Sequence, residues 1–286
     1  MHFADLFEAV ADAVGEQPAL VNGAVRRTWS ELDDRSARLA SAMQNAGLQP
    51  DSKIGFFLYN GNEYVEAYFA ALKIRGVAVN INYRYREKEL QYLLDYADAE
   101  ALFFHRSLSA VVAEVVNYLP KLKLLIEIDD GGISKIAANS YESLIESNLP
   151  AARIERSNED NFMNFTGGTT GYPKGVVYRM GDVTEFYLSS LPSFFGSSAI
   201  LNNCEDLAAF AKELSASPMP PVSLPACPLM HTAGLMNGLL TQMLCGAKIV
   251  TMQNRSFDAY EMLEAIERER VTFSVIVGDA FCRPIL

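Results

Sequence analysis

The sequence predicts an α/β protein built on mainly parallel sheets, and three observations predict it. Helix-period and strand-like segments alternate from one end of the chain to the other. The strand-like runs are short, apolar and bounded by turn residues, as expected of strands covered on both faces. With 286 residues, half of them hydrophobic, the chain can bury a sizeable core.

The elements follow in order. Thr28 and Glu31 have the spacing of a capping box and open a helix whose inner face carries Leu32, Leu39, Ala40 and Met43. The strand "KIGFFL" comes next, then a helix with Val65, Tyr68, Phe69 and Leu72 on one face, then the strand "GVAVNI". Leu90, Leu93, Leu94 and Ala97 mark another helix, "ALFFH" a strand, Val111 to Leu119 a helical stretch, and "LKLLIEI" a further strand. "NFMNFT" reads as a strand that runs into a loop rich in glycine and threonine. Residues 181–221 blur the pattern and read as an insertion or a substrate-facing region ending in "SPMPPVSLP". The alternation resumes with "AKIVTM", with a helix bearing Ala259, Met262, Leu263 and Ile266 behind the caps Asp258 and Glu261, and with "VTFSVIV". The last residues, "DAFCRPIL", place Pro284 where a helix could begin, and the chain reads as cut short.

Composition excludes several function classes. The formal charge of −11, with no cluster of Lys and Arg, argues against nucleic acid as a partner. No apolar run approaches the roughly 18 residues of a spanning helix, and acids at Asp5, Glu8 and Asp12 do not fit a secretion signal. A soluble cytoplasmic protein is expected. Cys204, Cys227, Cys245 and Cys282 are far apart without a C-x-x-C pair, so buried free thiols are expected rather than a disulfide or a zinc site.

The stretch that carries chemistry is "NFTGGTTGYPKGVVY", residues 164–178. Glycines let backbone N–H groups converge on an anion, threonine hydroxyls add donors or a metal contact, and Lys174 supplies a compact positive charge. Together these suit a polyphosphate. The phosphate loop of nucleotide hydrolases is excluded, because Tyr172 and Pro173 separate Gly171 from Lys174 and Gly175 follows the lysine. Thr169 and Thr170 either bind phosphate or brace the turn.

"FTGGTTGYPKG" closely resembles the phosphate loop of the adenylate-forming superfamily, which comprises acyl-CoA synthetases, peptide-synthetase adenylation domains and luciferases. Other stretches are similar in the order that the family requires. "RTWSELDDRSARLA" resembles its early helix, "AALKIRGVAVNINYRYREKELQYLLDYADAEALFF" its helix, strand and N-x-R segment, and "PLMHTAGL" its later histidine motif. "TGGTTG" and "VGDAFCRP" are most like bacterial fatty-acyl and steroid-side-chain acyl-CoA synthetases.

The resemblance implies two mainly parallel α/β subdomains packed side by side, as in the N-terminal domain of an adenylate-forming enzyme, with the C-terminal lid domain absent. Residues 1–50 would begin subdomain one, residues 51–195 form subdomain two with the phosphate-binding loop, and residues 196–286 complete subdomain one. It implies ATP-dependent activation of a carboxylic acid, a fatty acid or a steroid side-chain acid, to an acyl-adenylate and then to acyl-CoA. ATP, Mg2+ and CoA are the implied cofactors and co-substrates. Thr166, Gly167, Gly168, Thr169, Thr170, Gly171 and Lys174 would hold the phosphates, with Thr166 also on magnesium. Lys174 and His231 would serve catalysis, and His231 and Gly234 would meet the acid, although a lone histidine in such surroundings is commonly structural. "EFYLSSLPSFFG" and "GLMNGLLTQML" line an acyl groove or belong to the core.

The sequence also departs from the family. "GVVYRMGDV" stands where many relatives carry a Ser-His pair, and Arg179 and Asp182 read as ordinary helix-entry residues. The adenine motif, the ribose aspartate and the lid lysine do not follow Pro284, so an N-terminal portion inactive alone is expected. An uncovered sheet edge would follow, with dimerisation one means of covering it. The alternatives are a non-catalytic nucleotide-binding or phosphate-binding module and an adenylate-forming enzyme with an acceptor other than CoA.

Overall fold

The structure is a computed structural model that describes residues 1–166 and 173–286, without the side chain of Thr166. Its elements run α1 (Phe3–Val14), β1 (Pro18–Asn22), β2 (Val25–Thr28), α2 (Trp29–Asn45), β3 (Lys53–Phe57), α3 (Asn62–Lys73), β4 (Val77–Asn80), α4 (Glu87–Tyr96), β5 (Ala99–His105), α5 (Ser109–Val115), β6 (Leu124–Ile128), β7 (Asn139–Ser140) and α6 (Tyr141–Ser147). They continue with β8 (Asn161–Thr166), β9 (Lys174–Arg179), α7 (Met180–Phe194), α8 (Cys204–Ser215), β10 (Val222–Pro225), a π-helical segment (Ala233–Leu240) running into α9 (Thr241–Met243), β11 (Lys248–Thr251), α10 (Ala259–Glu269), β12 (Phe273–Val275) and α11 (Asp279–Ile285).

Two five-stranded sheets result. The first has the order β12-β10-β11-β1-β2, parallel except for the β1–β2 hairpin, and the second, β4-β3-β5-β6-β7, is parallel throughout. Gly23 and Ala24 turn the hairpin, Gly23 with a φ of +56° that a side chain would strain. In the first sheet Leu20 pairs with Ile249 and Asn22 with Thr251, joining the two ends of the chain.

Strand period explains the layering. Ile54 and Phe56 of β3, and Ala101 and Phe103 of β5, face one core, while Phe57, Leu102 and Phe104 face another that α4 and α5 cover. In the first sheet Leu20 and Ile249 share the former core, whereas Val21, Leu224 and Val250 pack beneath α10. The shared core holds α1, α2 and α3, so one helical layer lies between the two sheets. Phe7 stacks on Phe69 at 3.8 Å between ring centroids, and Trp29 lies 5.7 Å from Phe7.

This middle layer also carries buried charge. Lys73 Nζ reaches Glu8 Oε1 at 2.7 Å and Asp33 Oδ1 at 2.6 Å, and Arg156 bridges Asp5 and Glu8. Each charge has a partner, the condition under which such groups are tolerated inside a protein.

The expected helix signals are present at the atomic level. Thr28 and Glu31 form a reciprocal capping box, and Asp258 accepts from the amides of Tyr260 and Glu261. Four readings are corrected. Residues 181–221 contain two regular helices, α7 and α8, whose Tyr187, Leu191, Leu207 and Phe210 enter the shared core. Leu263 is exposed, because Met262, Ala265 and Glu269 form the buried face of α10. Cys227 and Cys245 are buried, but Cys282 is exposed and Cys204 only half-buried. Pro284 lies in the last turn of α11, which starts behind Gly278. No helix among the described residues is long and apolar enough to cross a membrane.

His2 caps α1, its Nδ1 accepting from Ala4 N–H at 3.1 Å. Burial pushes its pKa from 6.5 down to about 4. The unfolded chain therefore binds a proton that the folded chain refuses, and stability falls as pH drops from 6.5 towards 4. The urea midpoint is expected to be lower at pH 5 than at pH 7, with a smaller drop in His2→Asn, which keeps a capping acceptor without titrating. Equal drops in the two proteins would contradict this account.

Candidate active site

The carboxyl ends of β3 and β4 in the second sheet meet the end of β10 in the first, and ligand sites of open α/β sheets lie outside such ends. Asn60, just after β3, reaches across. Its Nδ2 donates to the carbonyls of Pro225 (3.3 Å) and Cys227 (3.2 Å), and its Oδ1 accepts from Leu229 N–H at 2.8 Å. Tyr64 of α3 donates to Asn80 Oδ1 at 2.5 Å, and its hydroxyl lies 3.3 Å from the Leu229 carbonyl. Tyr83 N–H meets Met230 Sδ at 3.4 Å. The turn that ends in His231 is thus held by residues of the opposite sheet.

Beyond the turn the chain enters the π-helical segment. Its wider winding leaves carbonyls for side chains to satisfy: Ser223 Oγ donates to Gly238 O at 2.7 Å, and Thr241 Oγ1 to Met236 O at 2.6 Å. Gly234 and Gly238 let this helix lie directly on the end of β10. A Cβ at Gly234 would stand 2.4 Å from the Pro228 carbonyl oxygen, and one at Gly238 2.6 Å from Pro225 Cβ. The space beside Gly234, expected to face an acyl chain, is filled by this chain's own backbone. "GLMNGLLTQML" is largely core, with Leu235, Leu239, Leu240 and Met243 buried. Of "EFYLSSLPSFFG", Tyr187, Leu188 and Leu191 are buried while Phe186 and Phe194 are exposed.

The third component is the antiparallel hairpin β8–β9, in which Thr166 pairs with Lys174 across its open end. Lys174 is exposed. Gly167, Gly168, Thr169, Thr170 and Gly171 lie outside the described residues, as does the hydroxyl of Thr166. Phe162 and Asn164 share the inward face of β8, and Met163 and Phe165 pack on the core beneath α4. Asn164 Nδ2 donates to Thr232 Oγ1 at 2.7 Å, which places the base of the loop beside the His231 turn.

His231 is exposed, yet protein on one side desolvates its ring, and the positive charge of Arg84 adds to that effect. Both hold it below the ordinary histidine value, so its imidazole is neutral at pH 7, with one N–H donor and one lone pair. A cavity of about 110 Å³ opens at this rim between the sheets, lined by Tyr59, Tyr83, Arg84, Arg255 and Phe281 among others. The Arg255 guanidinium lies 4.8 Å from the Tyr59 ring centroid and pairs with Asp130, strapping the sheets together at this rim.

The structure therefore brings together Thr166, Lys174, His231 and Gly234, the last as a backbone seat. Asn60, Tyr64 and Asn164 were missed in the sequence. Asn164 had a signal, being polar on the face of a strand that it shares with core-facing Phe162, where burial demands a hydrogen-bond partner. Asn60 and Tyr64 had none, since the carbonyls of Pro225 and Leu229 that they meet each lie 165 positions away.

Two outcomes follow. Gly234→Ala forces the Pro228 carbonyl aside and is expected to cost about 1–3 kcal/mol in urea unfolding; wild-type stability would show that the turn yields freely. By proton NMR, His231 is expected to titrate below 6.5 and to move upward in Arg84→Gln. No movement would remove Arg84 as a cause.

Comparison with known proteins places this geometry in a family. The AMP-binding enzyme family matches residues 7–283. The chain is 33% identical, over all of its length, to a 3-oxocholest-4-en-26-oate–CoA ligase of Rhodococcus rhodochrous, covering 51% of that protein. It is 31% identical to a medium/long-chain-fatty-acid–CoA/3-oxocholest-4-en-26-oate–CoA ligase of Mycolicibacterium smegmatis, again over its whole length and 51% of the relative. The chain thus spans about half the length of the curated relatives it matches. Among solved structures, a long-chain-fatty-acid-CoA ligase from Archaeoglobus fulgidus superposes with a TM-score of 0.75 at 23% identity, covering 99% of this chain and 53% of that one. The anthranilate CoA ligase AuaEII in complex with anthranoyl-AMP gives 0.78 at 20% identity, covering 96% of this chain and 49% of that one. On the match that runs through nearly all of its residues, the chain belongs to the AMP-binding enzyme family.

Proposed function

We propose that this chain supplies the triphosphate loop and the acid-side turn of an ATP-dependent acyl-CoA ligase acting on a fatty acid or a steroid side-chain acid. The observation that carries the reading is the Asn164–Thr232 contact, which sets the hairpin of the phosphate-loop motif against the turn of the histidine motif. The activities for which the relatives are named support the substrate class.

In this reading a carboxylate oxygen forms a bond to the α-phosphorus of ATP, and the bond to the bridging oxygen breaks, pyrophosphate leaving with the electron pair. The CoA thiol, giving up its proton, then forms the thioester as the acyl carbon–oxygen bond breaks and AMP departs. Negative charge builds on the departing pyrophosphate, so positioned cations and amide donors lower the barrier most. Lys174, exposed at the end of β9, offers the compact cation. Residues 166–171 are assigned to the β- and γ-phosphates on their motif, and Thr166 to magnesium, because a hydroxyl oxygen is a hard donor that suits this ion. Magnesium would offset phosphate charge there. His231, neutral at pH 7, can donate to the incoming carboxylate without fixing it as a salt. A cytoplasmic location, where ATP and CoA are available, and a self-association of two copies belong to this reading as well.

Lys174→Ala is expected to weaken ATP binding at least tenfold by calorimetry, with an unchanged melting temperature. Equal affinities would sink the assignment. Pyrophosphate release from ATP by the longest available chain, assayed with a panel of fatty, steroid and aromatic acids, then decides the acid class.

A further inference from the structure

The turn of residues 228–232 is held by side chains from two sources. Asn60 and Tyr64 grip Leu229 from the second sheet and its covering helix. Asn164 grips Thr232 from the hairpin, and this is the one hydrogen bond among the described residues between the hairpin and the turn. The bond is 2.7 Å long, and a hydroxyl both donates and accepts, so the pair holds for either orientation of the amide.

Asn164 is only 5% exposed, and its Oδ1 has no hydrogen-bond partner among the described residues. Asn80, 4% exposed on neighbouring β4, likewise leaves its Nδ2 unmatched while its Oδ1 receives Tyr64. A buried amide atom without a partner is unfavourable, and an apolar side chain on this inward face would avoid that cost. Stability alone therefore does not account for an asparagine beside core-facing Phe162. What the asparagine does uniquely is fix Thr232, the neighbour of His231, relative to the strand that leads into the loop.

We propose that Asn164 is a positioning residue that couples the two halves of the site. Through Thr232 it sets the distance between His231 and Lys174 at the end of the hairpin, so that nucleotide bound on the hairpin improves the seat of the acid on the turn. This inference rests on the ligase reading for its ligands, but the lock itself does not require them. Asn164 touches neither ligand and acts through Thr232.

The test uses Asn164→Leu, Thr232→Val, the double variant and Thr232→Ser, in two arms. Thr232 is exposed, so its variants keep the core intact if Asn164→Leu does not fold. In ligand-free protein, amide hydrogen exchange across residues 229–235 is expected to quicken about two- to tenfold in either single variant. It should quicken no further in the double variant and return to the wild-type rate in Thr232→Ser. Unchanged exchange in Asn164→Leu and Thr232→Val would overturn the lock. In the second arm, dodecanoate affinity is measured by calorimetry with and without a non-hydrolysable ATP analogue. Wild type should bind the acid more tightly with the analogue present. Thr232→Val should lose most of that gain while binding the analogue alone within about twofold of wild type, an outcome that a merely structural role would not give. A gain preserved in Thr232→Val would overturn the coupling. Failure of wild type to bind the analogue would remove the ligase reading, and the exchange arm would still decide the lock.

Discussion

Two sheets with apolar side chains on both faces present four surfaces that water must not reach. Parallel strands cannot leave a face open as a half-exposed hairpin sheet can. This chain meets the constraint by letting α1, α2 and α3 serve the inner faces of both sheets at once, with α4 and α5 outside one and α10 outside the other. Because a single layer is shared, the sheets cannot slide past one another without exposing Phe7, Trp29 and Phe69. Their carboxyl ends are thereby held at a common rim, and every contact of the candidate site depends on that alignment.

The shared layer is not held by apolar packing alone. Lys73, Glu8, Asp33 and Arg156 tie three helices and the segment before β8 into one charged cluster with almost no solvent. Such a cluster adds little net stability compared with apolar residues of the same volume, but removing one member takes from each of its neighbours one of the two or more partners that balance it. It therefore acts chiefly on arrangement: a helix shifted by one turn would strand a charge. The rim repeats the device on a smaller scale, with Asn60 matched three times to the chain that leaves β10.

Much of this was legible in the sequence, for a physical reason. Capping at Thr28 and Asp258 and the apolar strands "KIGFFL" and "ALFFH" are local signals, readable within a few residues. The glycine-rich loop carries its expectation in residue types and spacing alone, since Gly167 to Gly171 lie outside the described residues. The helix α1 went unread although Phe3, Phe7, Val10 and Val14 lie at helical spacing behind a His2–Asp5 capping box. The helix α7 was obscured by Ser189, Ser190 and Pro192, which suit loops until the serines bond back to Phe186 O. The π-helical segment left little local trace, since apart from Thr241 the side chains that satisfy its carbonyls, Ser223 and Tyr187, come from elsewhere in the fold. The packing of Gly234 was not legible, because a missing side chain signals closeness without naming the neighbour, which is Pro228.

The pairing of β1 with β11 joins Asn22 to Thr251, 229 positions later in the chain. On a ribosome adding about 5–20 residues per second, the first hairpin waits roughly ten to fifty seconds for the strand beside which it belongs. Strands β3 to β7 need nothing made after residue 140 to pair, so the second sheet can assemble while the first is still a solitary hairpin. Throughout that interval β1 is paired on one edge only, by β2, while its other edge waits for β11. Slowed translation before residue 248 lengthens the time for which that edge stays open.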